Sequence, residues 1–350
     1  MKPRALELFA GFGGVGIALE NMGYTVAAAV EREAKPAEVY QRNHPGTPIH
    51  VASVADVDYT PYYGIVLLHG SPPCQNFSQA RSKNLPAHAD ADVGLEMIRA
   101  AAECRPRLIT LENVPGYLKS DVFCQICEGF AQLGYVAIVH PATKDHHVYS
   151  WDKLGGPQGR RRLMARWVHQ DHLNDLPYDG CDQTLFGVSK CWGWALEPIA
   201  RPTSGWYAAV KDLDLPVGEF APWQREAIAK SMWPYLLDVN QSRYLIPRVG
   251  ARLDRYGAIK WAANAIAPAP TVKALGHCQH WRQFNVVIAG KCYSITPRFL
   301  SQLQGFPDWF ELPSVAYVAG KGIGNAVPPP MYEAIVGPLL GQTRQLEVAA

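Results

Sequence analysis

Short, mostly apolar runs separated by longer amphipathic stretches fill the first 170 residues, and this rhythm constrains the fold more than any other feature of the chain. Residues 5–9 read as a buried strand, Gly11-Phe12-Gly13-Gly14 as a tight loop and residues 15–22 as a helix. Residues 25–30 form a second strand ending in Glu31, and residues 65–68 a third that runs into Gly70-Ser71-Pro72-Pro73-Cys74. A helix over 93–103 precedes a strand at 108–111 that ends in Glu112-Asn113; a helix over 123–133 precedes a strand at 136–139. Strands that do not alternate apolar with polar residues are covered on both faces, so the pattern predicts an α/β fold around a parallel sheet. In such sheets ligands gather at the carboxyl ends of the strands, which is where each polar constellation falls.

From residue 171 to 290 the periodicity weakens, Pro and Gly punctuate, and seven of the ten tryptophans appear: Trp192, Trp194, Trp206, Trp223, Trp233, Trp261 and Trp281. The 350 residues suffice for two domains. The division predicted is one domain from 1–170 with 291–350, interrupted by a second at 171–290. Net charge is only +2, so a nucleic-acid partner requires basic residues gathered locally. Residues 243–260 provide such a cluster, with Arg243, Arg248, Arg252, Arg255 and Lys260 against one acid, Asp254. The composition, 48% hydrophobic and 18% charged, excludes a disordered chain. No secretory leader is expected, because the five residues Ala5-Leu6-Glu7-Leu8-Phe9, interrupted by Glu7, are too few for its core, and no run of 18 apolar residues predicts a membrane span. Eight scattered cysteines suit a reducing, cytosolic compartment better than a disulfide scaffold.

The glycine loop after the first strand permits close approach of a ligand, and Glu31 can accept both hydroxyls of a ribose. A plain strand-to-helix turn explains the same glycines equally well. Two prolines stiffen the chain before Cys74; a cysteine on a rigid loop at the ligand edge is a candidate nucleophile, activated by cations such as those of Arg160-Arg161-Arg162. Cys104, Cys181 and Cys278 read as small buried hydrophobes. Glu112 at a strand end can donate a proton near neutrality if apolar walls surround it. Cys124-x-x-Cys127 lacks a second ligand pair and reads as helix packing, so no metal is expected.

Taken in order, Phe9-Ala10-Gly11-Phe12-Gly13-Gly14, Pro73-Cys74-Gln75, Glu112-Asn113-Val114, Gln158-x-Arg160-x-Arg162, Gln304-Gly305-Phe306-Pro307 and Gly324-Asn325-Ala326-Val327-Pro328 resemble the cytosine-5 DNA methyltransferase family, which uses S-adenosylmethionine. The resemblance covers residues 4–168 and 291–332, and Ala269-Pro270-Thr271-Val272 is similar to the element that closes the family's recognition domain. It implies a Rossmann-like methyltransferase domain with a mixed, mainly parallel sheet, plus a smaller irregular target-recognition domain. It also implies transfer of a methyl group to C5 of a cytosine flipped out of a specific duplex DNA sequence.

The roles implied are these. Cys74 adds to cytosine C6, Glu112 binds N3 and supplies a proton, Arg162 holds O2, Arg160 lies close to the thiolate, and Asn113 braces the loops. Phe9 stacks near the cofactor adenine, Gly11 and Gly13 leave room for its methionine part, Glu31 takes the ribose hydroxyls, and Pro72 and Asn325 line the pocket. Where relatives carry an Asp for the adenine amine stands Ser53, with Asp56 and Asp58 just beyond. Gln75, Ser78, Arg81 and Gln158 are expected at the substrate, the loop Ser78 to Asn84 as an element that closes over the base and is mobile without DNA. Arg243, Arg248, Arg252 and Arg255 are expected on phosphates or base edges. Tyr293, Phe299 and Gln302 replace charged residues of relatives, which implies a rearranged packing there. Duplex DNA is the partner implied, met by a monomer, with room for a restriction endonuclease acting on the same site. A tRNA-modifying branch of the family carries Cys-Phe-Thr, which is absent here; a DNA-binding regulator without catalysis is the alternative of another class.

Overall fold

The structure is a computed structural model that describes residues 2–73, 92–138, 147–156, 158–175, 244–247, 263–264, 271–272, 284–288, 291–294 and 297–340. The chain divides into two compact units: Met1–Ser150, Arg161–Leu185 and Ala326–Ala350 form the first, Trp151–Arg160 and Phe186–Asn325 the second.

The first unit is built on one sheet. Its strands are β1 (Arg4–Leu8), β2 (Thr25–Glu31), β3 (Ile49–Val51), β4 (Leu67–Gly70), β5 (Leu108–Asn113), β6 (Tyr135–Ala137), β7 (Val148–Ser150) and β8 (Arg161–His169), in the order β3-β2-β1-β4-β5-β8-β6, with β7 also paired to β8. Pairs from β3 to β5 are parallel; β8 runs antiparallel to β5, β6 and β7. The sheet is therefore mixed and mainly parallel. The order turns back at β1, where β2 and β4 flank it. This places the loops after β1 and β4 at a topological switch point, the ligand edge of such sheets.

Helices α1 (Gly14–Asn21), α2 (Ala34–Asn43), α3 (Glu96–Cys104) and α4 (Asp121–Gln132) follow strands and return the chain. Ser120 caps α4, its Oγ accepting the Phe123 N–H at 3.1 Å. Alternation along the strands sorts the two faces. Leu6, Leu8, Val30, Leu68, Ile109 and Leu111 join Met97, Ala100, Ile126 and Phe130 of α3 and α4 in one apolar cluster. The intervening residues Glu7, His69 and Thr110 point the other way and are equally buried.

In the second unit, β9 (Tyr244–Pro247), β10 (Ala263–Asn264), β11 (Phe284–Ile288) and β12 (Lys291–Ser294) form an antiparallel sheet in the order β10-β9-β11-β12, and α5 (Pro297–Leu303) and α6 (Ala316–Asn325) follow. The chain then re-enters the first unit as α7 (Pro329–Val336). No helix among the described residues is long and apolar enough to cross a membrane.

Candidate active site

Leu8 ends β1, and the chain turns there on a non-glycine residue in the left-handed region: Phe9 has φ 57°. Such a conformation costs about 1–3 kcal/mol and persists only where its surroundings dictate it. The Ala10 N–H donates to the Val30 carbonyl and the Gly13 N–H to the Ala10 carbonyl, closing the loop against β2. Glu31, the last residue of β2, faces this loop. Its Oε2 accepts the Gly11 N–H at 2.9 Å and its Oε1 the Glu33 N–H at 2.7 Å. Burial raises the Glu31 carboxyl above its ordinary value, with the two backbone donors working against that rise.

The two glycines of the loop serve different ends. At Gly11, φ is +55° and a Cβ would meet nothing within 4 Å, so the backbone borders open space where a ligand can approach. At Gly13, φ is +82° and a Cβ would run into the His44 imidazole and the Tyr40 ring. Gly13 was expected to leave room for the cofactor; the space beside it is taken by α2 and His44. Gly13→Ala is expected to cost about 1–3 kcal/mol through backbone strain and this clash, read as a fall in Tm. An unchanged Tm would show that the loop adapts freely.

The same corner buries Glu7, whose Oε2 accepts the Tyr40 hydroxyl at 3.0 Å. His44 is buried too, with Nδ1 2.9 Å from Glu20 Oε1. Burial pushes the Glu7 carboxyl up to about 7, opposed by His44, Tyr40 and the Gly16 N–H. A raised value means that folding takes up a proton between the unfolded carboxyl near 4.5 and about 7. This contribution therefore falls as pH rises through that window and is flat above it. Glu7→Gln is expected to abolish that slope, worth on the order of 3 kcal/mol, and to raise stability at pH 8. A denaturation series from pH 4.5 to 8 with identical slopes for both proteins would contradict it.

The second cluster lies where β4 and β5 end. Glu112 is buried, and its Oε1 meets Arg162 Nε at 3.0 Å, the side chains being 8% and 14% exposed. Arg162, on β8, also donates from Nη1 to the Arg161 carbonyl at 2.8 Å. Asn113 donates from Nδ2 to the Pro72 carbonyl at 3.0 Å, and its Oδ1 accepts the Val114 N–H. The Ser71 N–H donates to the Leu8 carbonyl at 3.3 Å. The strand ends β1, β4 and β5 are thereby tied together at Ser71-Pro72-Pro73. Cys74, Gln75, Ser78 and Arg81, and the rest of the expected closing loop, lie outside the described residues. So do Arg243, Arg248, Arg252 and Arg255.

Ser53, expected at the adenine amine, uses its Oγ to accept the Ala55 N–H at 3.3 Å and starts a short 3-10 turn, Val54–Asp56. Gln158, Arg160 and Asn325 belong to the second unit. Gln158 has no exposed surface. Its Oε1 accepts the Val272 N–H at 2.8 Å, and Nε2 donates to the Leu303 carbonyl and to Gln304 Oε1. Both amide hydrogens and the oxygen are thus used within the protein, which corrects the expectation of a substrate contact. Arg160 is also fully buried, donating to the carbonyls of Val272 at 3.0 Å and Gly324 at 3.2 Å. This geometry makes it a clamp between the short 271–272 element and the end of α6. Asn325 ends α6 and is exposed. In the replaced-charge stretch, Gln302 Nε2 donates to Asp308 Oδ1 at 3.3 Å and Arg298 Nη1 to the Asp308 carbonyl.

Cys104 is buried and its thiol is pushed up to about 12, fitting a packing role. Cys124 is exposed and Cys127 half-buried on α4. Among the described residues no group of three or more His, Cys, Asp or Glu could hold a metal ion.

An acid paired with an arginine at a strand end, a braced Pro-Pro turn and a glycine loop facing a carboxylate thus gather at the ligand edge of a mainly parallel sheet. The C-5 cytosine-specific DNA methylase family matches residues 4–187 and 227–340. The chain belongs to that family and is a DNA cytosine-5 methyltransferase, of a family that uses S-adenosylmethionine. It is 30% identical over 340 residues to the type II methyltransferase M.PspPI of Psychrobacter sp. (strain TA137), covering 92% of this chain and 75% of that one. It is 28% identical over 342 residues to M.Eco47II of Escherichia coli, with the same coverage. Among solved structures it shares its fold with a prophage-encoded E. coli protein described as a DNA modification methyltransferase, at TM-score 0.66 and 17% identity over 97% of this chain and all of the other. It likewise shares its fold with a DNMT2 mutant of Spodoptera frugiperda, at TM-score 0.65 and 16% identity over 97% and 99%.

Proposed function

We propose that this chain transfers a methyl group to C5 of a cytosine turned out of a specific double-stranded DNA sequence, through a transient bond between the Cys74 sulfur and C6 of the ring. The observation that carries this reading is the buried Glu112–Arg162 pair beside the Asn113–Pro72 tether. An acid and a cation side by side match the two edges that activate cytosine: N3, which must gain a proton, and O2, which gathers negative charge.

Cytosine C5 is a poor nucleophile until sulfur adds to C6. As the C–S bond forms, the ring electrons move toward N3 and O2; Glu112 delivers its proton to N3 while Arg162 holds O2. In the resting pair the carboxylate has a cation as its partner. Turning the guanidinium to O2 frees Glu112 to carry the proton. Bound S-adenosylmethionine supplies an activated methyl for the enamine carbon. Loss of the C5 proton to a base then expels the Cys74 sulfur, N3 returns its proton to Glu112, and the aromatic ring is restored. Asn113 holds the Pro72 carbonyl, two residues before Cys74, against the strand end that carries Glu112.

For the cofactor, the residues present fit a nucleoside: open space at Gly11, a half-buried Phe9 ring and the Glu31 carboxylate meet at one loop. Phe9 would face the adenine and Glu31 the ribose hydroxyls, the latter exchanging its backbone donors for them. Pro72 and Asn325 remain proposed lining residues, and Gly13 shapes the loop from behind. Arg243, Arg248, Arg252 and Arg255 are proposed to meet DNA, and the chain to act as a monomer.

The test uses tritiated S-adenosylmethionine with duplex DNA and with tRNA. Acid-stable label in DNA alone is expected. Label in tRNA alone would replace the substrate, and DNA binding without label in either would make the chain a regulator.

A further inference from the structure

Four neighbouring strands carry a polar residue at the same level of the sheet. Glu7 of β1 pairs in register with His69 of β4, His69 with Thr110 of β5, and Thr110 with Arg166 of β8. Each is at most 1% exposed. Burying such a row costs far more than burying apolar side chains, and its polar groups need partners. The row lies one layer beneath the site: Glu7 precedes Leu8-Phe9, His69 precedes Gly70-Ser71-Pro72, and Thr110 precedes Leu111-Glu112-Asn113.

Its middle forms a continuous chain. Tyr332 of α7, fully buried, has its hydroxyl 2.8 Å from Thr110 Oγ1; Thr110 Oγ1 is 2.9 Å from His69 Nδ1; and His69 Nε2 is 2.9 Å from Ser71 Oγ. The Tyr332 ring stands edge-on to the imidazole at 5.1 Å. Burial pushes His69 down to about 3, so the ring is neutral at working pH and has one donor and one acceptor nitrogen. The three contacts join Tyr332, Thr110, His69 and Ser71 in one continuous hydrogen-bonded chain.

We propose that Tyr332, Thr110 and His69 are positioning residues for methyl transfer, a hydrogen-bond relay that fixes the Ser71 side chain and with it the Ser71-Pro72-Pro73 segment that leads to Cys74. This rests on the assignment of Cys74 as nucleophile made above. Three ties then converge on the stem: Leu8 holds the Ser71 backbone, Asn113 holds the Pro72 carbonyl, and the relay holds the Ser71 hydroxyl. The first two are local to the site. The third reaches α7, 222 residues along the chain from Thr110, so C-terminal packing is tied to the segment that precedes Cys74.

Thr110→Val keeps the side-chain shape and deletes the hydroxyl common to both halves of the relay; Thr110→Ser restores it. In the full-length enzyme, kcat of Thr110→Val is expected to fall about 10-fold or more, because a misplaced nucleophile loses its attack geometry. KM for DNA and for S-adenosylmethionine should stay within about 2-fold, and Thr110→Ser should recover most of kcat. Wild-type kcat in folded Thr110→Val, whatever its Tm, would reduce the relay to a stability device and overturn the proposal. Should Thr110→Val not fold, Tyr332→Phe, which keeps the ring contact, carries the same test: lowered kcat at unchanged KM supports the relay, and unchanged kcat refutes it. Cys74→Ala is assayed alongside. Turnover by that variant sinks the nucleophile assignment itself, whereas a dead Cys74→Ala beside a fully active Thr110→Val sinks the relay alone.

Discussion

Cys74→Ala should lower methyl transfer to background, a loss on the order of 10⁴-fold or more, while duplex affinity changes little. The reason is chemical: without addition at C6 the ring carbon that must attack the methyl group remains part of an aromatic system. On the proposed function binding rests on other groups, the arginines proposed to meet phosphates, and such contacts weaken steeply with salt. The paired measurement is single-turnover methylation and a DNA titration on the same preparation. A variant that binds and still turns over would show that C5 is activated in another way.

Glu112→Gln should reduce kcat by about 10²–10⁴-fold, the usual worth of a positioned acid or base, with KM for DNA nearly unchanged. Gln keeps the shape and one acceptor oxygen but cannot pass a proton to N3. It also deprives Arg162 of its carboxylate partner at 3.0 Å within a site where both side chains are nearly enclosed. The two residues act as one unit, so adding Arg162→Ala to Glu112→Gln should cost much less than the sum of the single losses. Fully additive losses would mean that the pair seen in the structure plays no joint part in the reaction.

The features visible in the amino-acid order are those that local chemistry marks. Gly11 and Gly13, Pro72 and Pro73, and Asn113 punctuate strand ends, so the loops at the ligand edge could be located by reading along the chain. β4 (Leu67–Gly70) lies two residues further along than the strand expected at 65–68, because His69 and Gly70 look like the start of a loop. β8 was not anticipated: Arg161 and Arg162 at its head and the two basic groups Arg166 and His169 mask a nine-residue strand. Pro36 and the charges around it likewise hid α2. Hardest to see was the row Glu7, His69, Thr110 and Arg166, since no spacing within one segment announces it and only strand register brings the four together. Gln158 shows the converse error. A polar residue in a motif was expected to face substrate, yet its amide holds Val272, Leu303 and Gln304 in place. Recognising that use of a side chain requires knowing its burial.

The claim on which the mechanism depends is a carbon–sulfur bond between Cys74 and the target ring. Duplex DNA copied with 5-fluorocytosine in place of cytosine tests it without knowledge of the recognised sequence, because fluorine at C5 cannot leave as a proton and the adduct persists after methylation. Incubation with this DNA and S-adenosylmethionine, followed by digestion and mass spectrometry, should yield one nucleotide bonded to the peptide that contains Cys74, and none for Cys74→Ala. Methylated DNA recovered with no protein–DNA adduct, or an adduct at another cysteine, would contradict the account.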